Sequence, residues 1–577
     1  MRKRSICAIL LVVISACLAA GCSLKKPVTN NTTTEKPAEP SVKDADLTKL
    51  YNLKNGEALV MVDARECENK GLVKNEKVYL PVSLVATYDS RFYWNANEKQ
   101  MIIATSDTRY FYKANTSNHT EGDQTITDLA PMVVIESGEA YICTDLIEKF
   151  GRMTVAVSTD TVSRVSMFTQ GTKVLKASVK AEDGTILRAG RGETYDIVTT
   201  LEKGEEIYSA EDLSGEVWTR VMTPDGLWGY VNNLETTTYS ETGQAIPVKI
   251  APYELHLMSE KVNMVWHQVG GEVSSDDFKA AIKEAKGLNV ISPTWFTFKA
   301  EDGSISSLAS ESYVKNAHAA GLKVWALCDD FTPGVKGLAI FSNTAAREAL
   351  INNLVSEVTR VGADGINIDF EYITAESAPH FLQFLRELYL ACKGKNLVLS
   401  TDNYYPNNLN SFYRLGEQCE FIDYIIFMGY DEHYSKSKEA GSVASLPFVR
   451  GGVEQMLKKG VPAKQLILGI PFFTRNWSNL KDDDGTVKND VMSMDAVQTF
   501  LKQHDAKPEW DETLGQNVVL DVLEDGQKRS IWIEDAESIQ RKLAVLKDNN
   551  LAGCAAWRLG FESKNVWAVI KEALAAE

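Results

Sequence analysis

Cysteine is sparse and scattered: nine occur in 577 residues, none in a C-x-x-C pair and none clustered with any of the seven histidines. A metal ion therefore finds no ligand set of the usual spacing, and neither a metal nor another cofactor is expected. Positive charge is also in deficit, 61 Lys and Arg against 78 Asp and Glu, for a formal net charge of -17. Nucleic acid and anionic surfaces need a positive patch to displace counterions, so neither is expected as a partner. No five like charges stand in a row, which excludes a charged binding tail. Beyond the first residues, no stretch reaches the roughly 18 apolar residues of a membrane span. What is there is enough apolar material, 44% of the residues, to fill the cores of about three or four domains.

Arg2, Lys3 and Arg4 precede an apolar run from Ile6 to Ala20, the pattern of a secretory leader. The run closes with Leu18-Ala19-Ala20-Gly21-Cys22, which resembles a bacterial lipobox. That resemblance implies cleavage before Cys22, a lipid on its thiol and a position outside the cytoplasmic membrane, facing the cell wall; an uncleaved anchor and ordinary secretion are the alternatives. Residues 23–46 are polar and aperiodic and read as a flexible tether. Six cysteines follow Cys22, an even number that permits disulfides. Cys328 and Cys554, however, sit in apolar strand-like runs that favour buried thiols.

Residues 47–170 show short strands and a weak internal repeat, Val78 to Val85 recurring as Ala140 to Ile147, each copy followed by a second apolar strand. This α+β segment loosely resembles the copper amine oxidase N-terminal-like module of bacterial envelope proteins, though it holds a single histidine, His119, and implies no copper. In residues 172–240, turns such as Ala181-Glu182-Asp183-Gly184 and Pro224-Asp225-Gly226 separate strands spaced for a small β-barrel. With Gly226-Leu227-Trp228-Gly229-Tyr230-Val231 it resembles a bacterial SH3 domain. Trp228 and Tyr230 either hold a wall peptide or fill a small core.

Residues 253–577 alternate strand and helix. Apolar runs occur at 262–266, 290–292, 323–327, 365–370, 397–400, 424–428, 466–471 and 553–557. Helix-period stretches lie between them, including 276–286, 343–361 with Asn343 as N-cap, 377–393 and 536–548. Eight such units predict a (β/α)8 TIM barrel with its site at the C-terminal ends of the strands. The fourth run is Asp364-Gly365-Ile366-Asn367-Ile368-Asp369-Phe370-Glu371. As a strand it sends Asn367, Asp369 and Glu371 to one side and Ile366, Ile368 and Phe370 to the other. Closely spaced carboxylates cannot all ionise easily, which suits acid/base chemistry.

That run is similar to the D-G-x-D-x-D-x-E signature of glycoside hydrolase family 18, the chitinase-like family. Met428-Gly429-Tyr430-Asp431, Gly469 to Trp477, Ile531 to Ser538 and Ala555-Ala556-Trp557-Arg558-Leu559-Gly560 continue the resemblance in register. The resemblance implies a substrate-assisted glycosidase whose sugar supplies its own nucleophile, the 2-acetamido oxygen. By that similarity Glu371 is the acid and base, Asp369 orients the acetamido group and Tyr430 binds its carbonyl. Asp431 contacts the distorted sugar and Trp557 is the apolar floor beneath it. Trp266 and Trp295 stack further sugars or fill the core.

Two departures stand out. Asn367 replaces the middle acid of the signature and cannot share a proton with Asp369, although it can hydrogen-bond to it. Ala326-Leu327-Cys328-Asp329-Asp330-Phe331 replaces the chitinase S-x-G-G on strand three. Both are closer to the peptidoglycan-directed branch of the family. Asn367 is counted with Asp431, Trp557, Trp266 and Trp295 among the substrate-binding candidates. The expected activity is hydrolysis of peptidoglycan after N-acetylglucosamine; a chitooligosaccharide hydrolase and an inactive carbohydrate-binding barrel are the alternatives.

Overall fold

The computed structural model describes residues 42–211, 217–243, 246 and 249–575, so the leader, Cys22 and nearly all of the expected tether lie outside the described residues. Eight parallel strands form the C-terminal half: β1 (Val262–His267), β2 (Val290–Phe298), β3 (Lys323–Asp329), β4 (Gly365–Asp369), β5 (Val398–Asn403), β6 (Tyr424–Met428), β7 (Leu466–Pro471) and β8 (Gly553–Trp557). Each pairs with the next, and β1 pairs with both β2 and β8, which closes the barrel predicted from the sequence.

Strand alternation divides the apolar residues into two cores. Met264, Trp266, Trp325, Tyr424, Ile426, Ile467 and Ala555 fill the barrel interior. Val265, Ile291, Val324, Ile366, Ile368 and Leu468 point outward and pack under the helices. Closure requires glycine at one contact: a Cβ on Gly553 would lie 2.0 Å from the Val262 carbonyl oxygen. The expected cap forms on the helix after β3. The Asn343 side chain accepts from the Ala346 N–H at 3.0 Å to start Thr344–Val361, which ends at Gly362 with φ 75°. Such caps satisfy backbone groups that a helix end leaves unpaired.

In the N-terminal half the two copies of the repeat form the same unit. Lys77–Pro81 runs into the helix Val82–Tyr88, Glu139–Cys143 runs into Thr144–Phe150, and the two strands pair antiparallel. The described strands between residues 173 and 243 form a seven-stranded antiparallel sheet. These segments share a core instead of standing apart. The strand Glu57–Val62 sends Leu59 and Met61 into a cluster with Val174, Leu187 and Val231, and Ala58, Val60 and Val62 into its own module. Trp228 is occupied: the Arg220 guanidinium lies 4.0 Å from its ring centre and Tyr51 packs at 5.3 Å. The last residues of the expected tether are also held. The Ala45 N–H donates to the Ile197 carbonyl at 2.7 Å and the Ile197 N–H to Lys43 at 2.8 Å, so the fixed chain begins earlier than residue 47.

The N-terminal half docks on the sides of the barrel helices. Arg347 and Glu387 form a fully buried ion pair at 3.0 Å, and Arg109 reaches the same carboxylate at 3.4 Å. The Asn95 amide donates to the Ser342 carbonyl at 2.7 Å. Between β7 and β8 an insertion spans five antiparallel strands and the helix Met494–Gln503, with its own core of Val497, Phe500, Val519 and Ile531.

Candidate active site

β4 ends at Asp369, and Glu371 lies two residues past the strand, at the mouth of the barrel. Its position is fixed by a neighbouring loop. The Glu371 and Tyr372 N–H groups donate to the two carboxylate oxygens of Asp330, at 2.9 and 3.0 Å. The Tyr404 hydroxyl, just past β5, donates to the Glu371 carboxylate. Asp369, Glu371, Asp402, Tyr430, Asp431 and Trp557 line one cavity of about 220 Å³. A second of about 470 Å³ shares Phe331, Asp369 and Trp557 and extends past Trp295 along the ends of β2 and β3. None of the residues lining either cavity comes from the N-terminal half.

Burial raises the pKa of each central carboxyl group. Asp369 and Asp402 are 7% and 6% exposed, and both are held well above the usual carboxylate range, chiefly by loss of hydration. The Glu371 carboxyl is also pushed up by burial, against the pull of the Tyr404 hydroxyl, with Asp330 and Asp431 adding repulsion. Asp330 is pushed up to about 6 by burial, despite its two backbone donors. A raised carboxyl beside an ionised neighbour is the arrangement of a proton donor at neutral pH. Arg475 is the one lysine or arginine lining the smaller cavity; it lies 3.6 Å from Asp431 and donates to Asn489 at 2.7 Å.

The structure brings together most of the residues expected from the sequence. Tyr430 and Trp557 flank the cavity with Trp266 between them, at ring distances of 6.3 and 6.0 Å. Trp266 is 1% exposed and donates its indole N–H to Asn367 at 2.9 Å, so it supports the wall more than it offers a stacking face. Trp295 packs on Tyr313 at 5.2 Å and lines the larger cavity. Asn367 departs from expectation. It is fully buried beneath the cavity, its amide bonds to Ser400 at 3.2 Å and Asp402 at 2.9 Å, and no bond to Asp369 forms. Three residues were missed: Asp330, Asp402 and Tyr404. Asp402 stands in Leu399-Ser400-Thr401-Asp402-Asn403, where the alternation used for β4 would have turned it inward.

Residues 337–562 match the family model Glycosyl hydrolases family 18. The barrel carries a family 18 glycosidase domain. Two curated proteins are similar to it. The uncharacterized glycosylase YvbX of Bacillus subtilis (strain 168) is 24% identical over 297 residues, 49% of this chain and 84% of the relative. The cortical fragment-lytic enzyme of the same organism is 25% identical over 242 residues, 41% of this chain, and the match spans only 56% of that enzyme. Among solved structures, the spore cortex-lytic enzyme SleL of Bacillus megaterium QM B1551 superposes with a TM-score of 0.50 at 18% identity, covering 58% of this chain and 77% of that one, a likeness of fold. The glycosidase domain thus has its candidate acid, Glu371, at the place where a (β/α)8 barrel builds its site.

Proposed function

We propose that this glycosidase cleaves β-1,4 bonds after N-acetylglucosamine in peptidoglycan, with retention of configuration and with the substrate's own 2-acetamido group as nucleophile. One observation carries the mechanism: Glu371 at the rim and Asp369 two residues deeper open into one small cavity closed by Tyr430 and Trp557. Glu371 gives its proton to the leaving oxygen as the acetamido oxygen attacks the anomeric carbon and the glycosidic bond breaks. Asp369 accepts the acetamido N–H and balances the positive charge of the oxazolinium ring. Tyr430 holds the acetamido oxygen in line. Glu371, now ionised, takes a proton from water as the oxygen of that water attacks the same carbon, which regenerates the acid.

The choice of polymer rests on the named cortical fragment-lytic relative and on the N-terminal sequence. In this reading a lipid on Cys22 holds the chain outside the bacterial membrane, and the SH3-like segment at 172–240 and the copper amine oxidase N-terminal-like segment at 47–170 present the barrel to the wall. The test is reducing-end release and mass analysis after incubating the chain without residues 1–22 with purified peptidoglycan and, separately, with chitooligosaccharides. Peptidoglycan fragments ending in reducing N-acetylglucosamine are expected. Cleavage of chitooligosaccharides alone reassigns the substrate to chitin. Capture of wall material without cleavage of either leaves a binding barrel.

A further inference from the structure

Asp369 and Asp402 occupy neighbouring strands of the barrel, both facing inward. The β4–β5 register sets Asn367 opposite Ser400 and Ile368 opposite Thr401, which places Asp402 beside Asp369 at the strand ends. Both carboxyls line the smaller cavity. The Asp369 Oδ1 atom is buried and meets no hydrogen-bond donor among the described residues. The charged and titratable groups around the two are Glu371 past β4, Cys328, Asp329 and Asp330 at the end of β3, Tyr404 and Tyr413 after β5, and Tyr430 and Asp431 past β6. The lining cation, Arg475, is engaged with Asp431. Two buried carboxylates without a cation between them cannot both ionise, and one proton stays with the pair.

Asn367 fixes which carboxyl can take part. Its Oδ1 accepts from the Trp266 indole at 2.9 Å and from the Ser292 hydroxyl at 3.3 Å. An indole N–H only donates, so the amide must present its NH₂ to the other side, where it meets Asp402 Oδ1 at 2.9 Å. An acid at 367 would instead set a carboxylate against Asp402. The asparagine and the β5 aspartate form one complementary pair.

We propose that Asp402 is the proton partner of Asp369, a positioning residue that supplies from β5 the acid that the signature of the family carries at position 367. In the resting site the pair holds one proton on Asp369. As positive charge develops on the sugar, the proton moves from the Asp369 carboxyl to Asp402, and Asp369 carries the negative charge that the new ring needs. Hydrolysis returns the proton.

This inference rests on the glycosidase reading, and the two are tested apart: cleavage by the native chain tests the reading, and the pH profile tests the proton partner. In Asp402→Asn, Asp369 loses the partner that lets it ionise in a buried site. The acid limb of kcat/KM moves to higher pH by about one unit or more. The double variant Asn367→Asp/Asp402→Asn moves the limb back toward the native value. An acid limb that stays in place in Asp402→Asn overturns the proposal, because a merely structural role lowers kcat or stability without shifting it. If the variant does not fold, the unaltered chain labelled with ¹³C-aspartate answers by infrared spectroscopy. At about pH 8 a protonated aspartate band is expected that disappears in Asp369→Asn, which separates it from the other carboxyls that burial raises, Asp423 and Asp431; the absence of such a band, or its persistence in Asp369→Asn, overturns the proposal.

Discussion

Glu371→Gln lowers kcat by roughly 10²–10⁴-fold with little change in KM, the range expected when a general acid is removed and ground-state binding is kept. The size of the effect follows from the site. Glu371 alone combines a raised pKa, a position at the mouth and a loop fixed by Asp330. Asp369 is too deep to reach a leaving oxygen at the rim and lacks a donor on Oδ1. Glutamine has the same shape, still accepts from Tyr404 and leaves the backbone bonds to Asp330 intact, so the fold survives. A drop of less than tenfold would move the acid elsewhere in the cavity, with Asp330 the next candidate. The check is steady-state kinetics on the substrate identified above, with circular dichroism showing the native fold.

Lys542→Met destabilises the barrel by about 3–5 kcal/mol, the cost of leaving a buried charge unpaired. Lys542 and Glu534 are both fully buried at 2.9 Å, and Glu534 also accepts from Gln516 at 2.7 Å and Ser538 at 2.8 Å. The group joins the β7–β8 insertion to the helix Ala536–Asp548, so its loss loosens the wall that carries Phe473 and Arg475. The pH dependence has a definite sign. Burial pushes Glu534 up to about 7, above the ordinary glutamate value, so the folded state binds this proton more tightly. Its contribution to stability is complete below the unfolded pKa, about 4.3, and is lost as pH rises through about 7. Without the ammonium group Glu534 holds its proton to higher pH still. Denaturant unfolding should therefore show a smaller deficit at about pH 5 than at about pH 8; a deficit independent of pH would mean that the lost packing of the lysine stem dominates.

The barrel was legible because parallel strands covered on both faces read as continuous apolar runs between helical stretches. The apolar signal of β2 covers only 290–292, whereas the strand runs to Phe298, since beyond the rim it continues as a hairpin with Ile305–Ser307. There Pro293 and Thr294 break the apolar signal. Glu371, Asp369, Tyr430 and Trp557 were found because they stand in motifs. Asp402 and Tyr404 stand in none, and Asp330 stands where the strand-three motif is replaced; only the closed barrel sets the three beside Glu371 and Asp369.

The partner of Asn367 was misread for a geometric reason. Residues two apart on a strand are separated by about 6.5 Å, whereas the neighbouring strand is about 4.8 Å away. The amide of Asn367 accordingly reaches sideways, to Ser400 and Asp402, and not along β4 to Asp369. In the N-terminal half, the composition of residues 23–46 read as tether throughout, but backbone pairing of Lys43 and Ala45 with Ile197 needs no side-chain signal and left none.

In the proposed mechanism the sugar's 2-acetamido oxygen, acting over Asp369 with Glu371 as acid and base, performs the first displacement. Proton NMR of the anomeric signal during the first minutes of hydrolysis tests it most directly, run in parallel on an acetylated glycan and on the same glycan after de-N-acetylation. The β-anomer is expected to form first, and the de-N-acetylated glycan is expected to stay uncut. Initial appearance of the α-anomer, or equal cleavage of both glycans, would contradict it.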